Sequence, residues 1–182
     1  MSRSKILKLH RIIAILITFT LMGCGNEKGP GQTNQGDWTE HYQTVDEMIA
    51  ASDYIVIGTV IEQYTEVRFD VAFTISEVKI VQGFDQNTDP GLQTILILQT
   101  GGKSGDIETA PIEDVLMLQK DKSYLLFLRK TDDGKGLVMG GFQGVASIIG
   151  DKVYFPDNHA FEENRLNQIK VDDIENLVRT DR

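Results

Sequence analysis

Short apolar runs, separated by turn residues, make up most of the chain after residue 53. The run at 54–61 is dense in β-branched residues, and Asp133-Gly134 and Gly150-Asp151 lie between later runs. Runs of β-branched and aromatic residues bounded by glycine and aspartate are typical of strands joined by hairpin turns. The pattern predicts about five to seven short strands, at 54–61, 67–80, 94–100, 123–129, 137–139, 145–149 and 153–155.

The run at 67–80 changes phase part-way along. Its first apolar residues are odd-numbered, from Val67 to Ile75, whereas Val78 and Ile80 are even-numbered. Because side chains alternate between the two faces of a strand, one extra residue near Ser76-Glu77 would return the apolar set to the inner face. The sequence therefore predicts a single long strand with a β-bulge, which would let a sheet coil over itself.

Two helices are predicted at the ends of the domain. Thr44-Val45-Asp46-Glu47 fits a capping box and begins a short helix that ends at Ser52-Asp53. A second helix is predicted at 172–179, where Asp172 and Glu175 suit the amino-terminal turn. Its apolar face consists of Ile174, Leu177 and Val178.

Strands and peripheral helices together predict a mainly β fold, a small antiparallel OB-like barrel with a short N-terminal helix and a C-terminal helix. Three strings, at 51–60, 73–83 and 122–128, carry a family resemblance. They are similar to the OB-fold modules of tissue inhibitors of metalloproteinases, netrin modules and their bacterial relatives. The resemblance covers roughly residues 48–155 and consists of strand patterns rather than chemistry.

The inhibitory activity of that family does not transfer to this sequence. The family's inhibitors chelate the protease zinc through an amino-terminal cysteine that is packed on the barrel, beside disulfides that hold the inhibitory ridge. Here Cys24 is the only cysteine, so no disulfide can form within the chain. We therefore do not expect protease inhibition by that mechanism.

The first 23 residues resemble an export signal. Residues 1–11 contain four basic residues and no acid, and Ile12–Met22 is uncharged and apolar. A basic segment followed by a short apolar segment is typical of a signal peptide. The alternative is a membrane-spanning anchor, but the uncharged stretch Ile12–Asn26 would reach only about 22 Å as a helix. The hydrocarbon core of a bilayer is roughly 30 Å thick, so the signal peptide is favoured.

Leu21-Met22-Gly23-Cys24 resembles the lipobox of bacterial lipoproteins and follows the apolar segment directly. The resemblance implies cleavage after Gly23 and lipidation of Cys24 through a thioether, with fatty-acyl chains such as palmitate. Two or more acyl chains on one residue hold a protein stably at a membrane. We therefore expect a lipid anchor on the extracytoplasmic face of the cell membrane.

The predicted organisation is a signal peptide at 1–23, a flexible tether at 24–37 and one β-rich domain at 38–182. Glycine, proline, asparagine and glutamine dominate the tether, which would span roughly 20 Å on average. Removal of residues 1–23 takes away four basic residues and would change the net charge from −9 to −13. Such acidity excludes nucleic acid as a partner, because phosphates require a basic surface.

Neither a catalytic, a metal nor a cofactor site is indicated by the sequence. His41 and His159 are far apart and have no cysteine or histidine at ligand spacing. Gly101–Gly105 contains Gly-Lys-Ser but lacks the upstream glycine of a phosphate loop, so we interpret it as a flexible loop. The pair Asp132-Asp133 fits turn chemistry and Asp172-Asp173 fits a helix start, rather than a calcium loop.

The cluster Gly140-Gly141-Phe142-Gln143-Gly144 allows two interpretations. The glycines would let strands turn sharply or pack closely, which is the favoured reading. Alternatively, Phe142 and Gln143 would present an aromatic ring and an amide to a partner.

Two function classes stay open after the sequence is read. The favoured one is a membrane-tethered binding module that recognises an envelope protein or peptide through barrel loops. The alternative is an envelope hydrolase whose acidic residues are dispersed along the chain. The sequence favours a non-enzymatic role and leaves the ligand and the oligomeric state open.

Overall fold

The computed structural model of the protein describes residues 40–84, 91–112, 115–155 and 169–180. The predicted signal peptide, Cys24 and the predicted tether lie outside these residues, as does His159. Lipidation of Cys24 and the boundaries of the first two segments therefore stay predictions.

The described residues form nine strands and two helices. The helices are α1 (Val45–Ala51) and α2 (Val171–Thr180). The strands are β1 (Tyr54–Arg68), β2 (Val71–Gly83), β3 (Thr94–Thr100), β4 (Gly102–Ser104), β5 (Ile107–Thr109), β6 (Ser123–Lys130), β7 (Gly136–Val138), β8 (Val145–Ile149) and β9 (Lys152–Tyr154).

Five strands close into a barrel in the order β1-β2-β3-β7-β6, and β6 pairs back onto β1. Strands β8 and β9 continue the sheet beyond β6. The named pairings are antiparallel except that between β3 and β7, which is parallel. The predicted fold class is thereby confirmed: a mainly β, OB-like barrel with a short helix before it and a helix after it.

The strand predicted at 67–80 is interrupted by a turn, so this prediction is wrong at its start. Strand β1 ends at Arg68, and Phe69 and Asp70 reverse the chain with φ angles of 52° and 60°. Positive φ at both central residues is the signature of a two-residue type I′ hairpin turn. A two-residue turn keeps the alternation of odd and even positions in step, so the pattern does not reveal it.

The predicted β-bulge lies in β1 and not in β2. The register between β1 and β2 shifts opposite Glu77, but the extra residue is Ile61 of β1 rather than a residue of β2. The phase change within β2 therefore remains: Ile75 and Val78 lie on opposite faces of the barrel wall. The even-numbered residues continue the inner face, and Ile75 points outward.

Gly58 lies at a close approach between β1 and β2. A Cβ atom on Gly58 would stand 2.3 Å from Cγ1 of Val78. A second register shift follows at once, where Val81 is the extra residue. The missing side chain and the shift together let the two long strands bend tightly around the barrel.

Two apolar clusters lie on the two sides of the barrel wall. The inner cluster fills the barrel and consists of Val56, Val60, Val78, Ile95, Ile97, Leu118, Tyr124, Leu126, Leu128, Val138 and Val145. The outer cluster joins β1, β6, β8 and β9 to both helices, and it includes Met48, Ile49, Ile55, Ile57, Leu125, Phe127, Ile174 and Val178. The helices therefore cover one side of the barrel wall.

The predicted cap of α1 at Thr44 is confirmed, but the return bond of the capping box goes to Gln43 instead of Thr44. The backbone N–H of Glu47 donates to Oγ1 of Thr44 at 3.2 Å, and the Glu47 carboxylate accepts from the N–H of Gln43 at 2.9 Å. The helix ends at Ser52, whose hydroxyl donates to the carbonyl of Met48 at 2.6 Å. In α2, Ile174 and Val178 are buried as the spacing predicts.

The loop predicted from 101 onward contains a small hairpin, so the prediction of a flexible loop at Gly101–Gly105 is wrong. Strands β4 and β5 pair across it. The segment that follows the hairpin is bound to β3. The buried Gln99 side chain of β3 donates to the carbonyl of Leu116 and accepts from the N–H of Leu118. Those two bonds hold Leu118 in the mouth of the barrel, where it joins the inner cluster.

Candidate functional site

A row of apolar side chains crosses the outer surface of β1, β2, β3 and β7. The sheet register aligns Tyr64 with Ile75, Ile75 with Leu98, and Leu98 with Leu137. Ile97 and Val138, the strand neighbours of Leu98 and Leu137, belong to the inner cluster. Because successive side chains alternate between faces, these four residues face outward. We call them the outer apolar row.

The two ends of the outer apolar row are exposed. Tyr64 is 47% exposed and Leu137 is 44% exposed, whereas Leu98 is half-buried and Ile75 is fully buried. Leu96, on the same face of β3, is half-buried. The exposed apolar surface of this face is therefore supplied by Tyr64 and Leu137, with smaller parts of Leu98 and Leu96, and we take it as the candidate binding surface.

Acidic residues flank the row on the same face. Glu62 of β1 stands directly opposite Glu77 of β2, and Glu66 stands opposite Phe73. Like charges on directly opposed positions of a sheet repel each other. A cationic group placed over Glu62 and Glu77 would relieve this repulsion. The flank of the row is therefore suited to a basic partner.

Two turns frame one end of this face, and ion pairs join them. Nη2 of Arg68, at the end of β1, lies 2.9 Å from Oδ2 of Asp133 in the β6–β7 turn. Nε of Arg68 also lies 2.8 Å from Oε1 of Glu66, and Nζ of Lys135 lies 2.6 Å from Oδ2 of Asp133. The hydrogen bonds from Lys135, Thr131 and Arg68 hold the pKa of Asp133 well below its ordinary value.

Phe69 is the most exposed large apolar residue in the described part of the chain, at 98%. It occupies the first position of the β1–β2 turn, in the left-handed backbone region that aromatic residues rarely adopt. Glycine or asparagine would fit this turn with less strain. An exposed aromatic residue in a strained turn indicates a function at the tip rather than a folding role.

The segment that precedes α1 lies beside the Leu137 end of the row. Leu137 is paired with Arg129 of β6, and Nη1 of Arg129 is ion-paired with Oε1 of Glu40. The Tyr42 hydroxyl donates to Oε2 of the same Glu40 at 3.0 Å. The bond from Arg129 holds the pKa of Glu40 below its ordinary value, and burial raises the pKa of Tyr42.

Gln143 lies inside the domain, where it binds the backbone of Tyr42. Its Oε1 accepts from the Tyr42 N–H and its Nε2 donates to the Tyr42 carbonyl, both at 2.9 Å. The side chain is fully buried. The amide predicted to face a partner is therefore used to hold the N-terminal segment, and Gln143 is not part of the candidate site.

The glycines around Gln143 have structural roles, as the favoured reading of the cluster predicts. Gly140 and Gly141 have φ angles of 54° and 65°. A Cβ atom on Gly144 would stand 2.8 Å from the Phe127 carbonyl oxygen. Phe142 is half-buried and lies in the same turn, away from the outer apolar row in sequence and pairing. Its predicted role in partner binding stays a prediction.

The structure does not bring the other chemistry-bearing residues together. His41 is exposed, and Lys103 of β4 is ion-paired with Glu108 of β5 at 2.7 Å. Asp172 and Asp173 lie in the first turn of α2, as predicted. Within the residues that the structure describes, no three metal-binding side chains converge.

Among the described residues, no helix has the length and apolar character needed to cross a bilayer. The chain matches no protein-family model, and no curated protein matches its sequence. The functional inference therefore depends on the fold and on the geometry of this face.

The outer apolar row was missed at the sequence level, although two signals for it were present. One is the phase change in β2, which places Ile75 outward. The other is the run at 94–100, which is apolar on both faces at its centre. An antiparallel barrel needs only one apolar face per strand, so a second apolar face indicates a further contact.

Proposed function

We propose that this protein is a lipid-anchored, extracytoplasmic binding module, and that the outer apolar row is its binding surface. The observation that carries the proposal is the row itself, with Tyr64 and Leu137 exposed at its ends. The row crosses β1, β2, β3 and β7, and the β1–β2 and β6–β7 turns lie together at one end of its face. OB-type barrels generally bind their ligands on this face and these loops.

The partner is a peptide or protein segment that combines apolar and basic side chains. Apolar groups would cover Tyr64 and Leu137, and a lysine or arginine would lie over the opposed Glu62 and Glu77. The net charge of −9 for the chain, or −13 for the predicted mature form, would attract such a partner at long range. The same charge argues against the oligonucleotides that many OB-type barrels bind.

Membrane attachment is supported by the sequence of the first 24 residues. A basic segment, an apolar segment and Leu21-Met22-Gly23-Cys24 follow one another in the order that lipoprotein precursors require. The lipid on Cys24 would hold the binding face at the outer side of the cell membrane. The partner is then an envelope protein that is reached from that side.

The binding surface is tested by cross-linking on intact cells that express the full-length lipoprotein, with mass spectrometry of the captured proteins. Tyr64→Ser and Leu137→Ser each remove an exposed apolar end of the row. Ile149→Ser is the matched control, because Ile149 is 65% exposed at the end of β8 and lies outside the row. We expect one dominant partner with the wild type and the control, and at least about tenfold less with either row variant.

Equal capture by all four proteins would reject the row as the binding surface. The membrane anchor has its own test, which is Cys24→Ser. This variant should accumulate as unprocessed precursor or appear in the medium, and an unchanged mature size with full membrane retention would contradict lipidation.

A further inference from the structure

The tip of the β1–β2 hairpin is a projecting apolar point. Phe69 is 98% exposed, and both residues of its turn have left-handed φ angles. The turn is connected to the β6–β7 turn, because Arg68, the residue before Phe69, is ion-paired with Asp133. A fully exposed phenylalanine on a fixed, convex tip is suited to insertion into a soft surface.

The tip and the point where the chain enters the domain lie on the same side. Glu40 follows the predicted tether by three positions, and it is ion-paired with Arg129. Asp133, which contacts the residue before Phe69, follows Arg129 by four positions. Four residues of extended chain span at most about 13 Å. Glu40 and Phe69 are therefore connected through two ion pairs and the start of the β6–β7 turn.

The geometry points to Phe69 as a second membrane contact, which inserts into the interfacial region of the bilayer that holds the Cys24 lipid. This inference rests on the lipid anchoring in the proposed function. The predicted tether averages roughly 20 Å, which is short enough for Phe69 to reach the lipid headgroups while Cys24 is anchored. The lipid would fix the position of the domain, and Phe69 would fix its orientation.

The contact is apolar rather than electrostatic. Arg68 and Lys135 near the tip are both ion-paired with acids, and Asp70 follows Phe69 directly. Only the ring of Phe69 enters the bilayer, to a shallow depth. Burying such a ring favours the inserted state by a factor of roughly 10 to 100. A nearby lipid anchor makes that modest preference sufficient, because insertion becomes an intramolecular event.

Insertion of Phe69 would set the height of the outer apolar row above the bilayer. Tyr64 lies five residues before Phe69 along β1, which is at most about 17 Å at the rise of a strand. The outer apolar row would then face sideways, close above the headgroups. A partner would have to present its apolar and basic segment close to the membrane surface.

The experiment measures the depth of residue 69 in vesicles. The full-length, lipidated protein is reconstituted into phosphatidylcholine vesicles, with Phe69→Trp in a Trp38→Phe background so that position 69 holds the only tryptophan. Val81→Trp in the same background is the matched control, because Val81 is 67% exposed near the opposite end of the same hairpin. Vesicles with brominated acyl chains quench only a tryptophan that enters the bilayer.

We expect the emission of Trp at position 69 to shift to shorter wavelength and to be quenched at least about twofold more than Trp at position 81. The quenching should persist in high salt, since the contact is apolar. Equal quenching at both positions in protein that floats with the vesicles would overturn the inference and leave the lipid anchor intact. Failure of the protein to float would instead reject the anchor.

A protein partner at the tip is the competing occupant. In spheroplasts, Trp at position 69 would then be protected from an aqueous quencher but not reached by the brominated lipid. That outcome would overturn insertion and assign the tip to protein recognition.

Discussion

At the residue scale, Gln143 shows how a buried amide can join two distant parts of the chain. It lies 101 residues from Tyr42 and satisfies both backbone groups of that residue. A buried polar side chain contributes little net free energy when all its hydrogen bonds are formed, but its removal leaves its partners unsatisfied. The N-terminal segment is thus held by one side chain that the sequence presented as a glycine-loop residue.

Gln143→Leu keeps the approximate volume of the side chain and removes both hydrogen bonds. We expect the free energy of unfolding to fall by roughly 1–3 kcal/mol, because the N–H and carbonyl of Tyr42 lose their partner in a half-buried place. Urea denaturation monitored by circular dichroism measures the change. Gln119→Leu, at an exposed position, is the control and should stay within about 0.5 kcal/mol of the wild type. If Gln143→Leu unfolds at the same urea concentration as the wild type, Tyr42 is held by other contacts.

In the β1–β2 turn, by contrast, we predict substitutions that raise the free energy of unfolding. Phe69 and Asp70 both adopt left-handed φ angles, which cost L-residues with a Cβ roughly 1–2 kcal/mol each. Asn-Gly is the preferred pair for this turn. The double change Phe69→Asn with Asp70→Gly should therefore stabilise the domain by roughly 1 kcal/mol in urea denaturation. A destabilised double variant would mean that the Phe69 side chain contributes to folding, contrary to its exposure.

At the element scale, most strands could be predicted because local composition decides them. The strands at 94–100 and 145–149 have the predicted bounds, and the strand predicted at 123–129 extends by one residue. These segments are rich in β-branched and aromatic residues between polar turns. The turn at Phe69–Asp70 could not be predicted, because it contains neither glycine nor asparagine and does not break the alternation.

The candidate site was less predictable than the strands. The phase change at Ile75 was interpreted as a bulge, since a strand was expected to have one apolar face. The register between strands, which sets Tyr64, Ile75, Leu98 and Leu137 in a row, is a tertiary property that involves four strands. A pattern along one chain segment indicates which face is apolar, but not which segments share that face.

The ion pairs that join the β1–β2 and β6–β7 turns predict a pH dependence. Lys135, Thr131 and Arg68 lower the pKa of Asp133 in the folded state below the ordinary value of 3.8. A carboxyl with a depressed folded pKa contributes stability above its unfolded pKa and loses it as the pH falls through its folded pKa. The contribution of Asp133 is therefore complete above about pH 5 and declines in stronger acid.

Asp133→Asn should flatten the loss of stability between about pH 5 and pH 2, relative to the wild type. Urea midpoints measured across this range test the expectation. Lys135→Met removes the largest cause of the lowered pKa of Asp133. It should partly flatten the dependence of stability on pH over the same range. Parallel curves for the wild type and Asp133→Asn would show that the pairing of the two turns is not maintained in solution.

At the scale of the whole molecule, the segment that leads from the predicted anchor is also part of the fold. Glu40 is ion-paired with Arg129, Tyr42 packs against the outer cluster, and Gln143 holds the Tyr42 backbone. Residues 40–42 are therefore held to the domain through contacts on β6 and the glycine turn rather than through α1 alone. The predicted domain boundary at residue 38 places all these contacts inside the domain.

Two shortened chains test this attachment. A chain that begins at Glu40 should be as stable as one that begins at Cys24 without lipid. A chain that begins at Thr44 loses the ion pair of Glu40, the packing of Tyr42 and both hydrogen bonds to Gln143. We expect it to be less stable by roughly 2–4 kcal/mol, from about 1 kcal/mol per hydrogen bond and a similar amount for the apolar area of Tyr42.

The shortened chains also make the role of Gln143 separable from general effects on folding. In the chain that begins at Thr44, the Gln143 amide has already lost its Tyr42 partner, so Gln143→Leu should no longer destabilise the protein. The cost of the substitution should thus depend on the presence of Tyr42, which is the signature of a direct coupling in a double-mutant cycle. If Gln143→Leu costs the same in both chains, the amide acts on the glycine turn itself, and residues 40–42 are held by the Glu40–Arg129 ion pair and the packing of Tyr42.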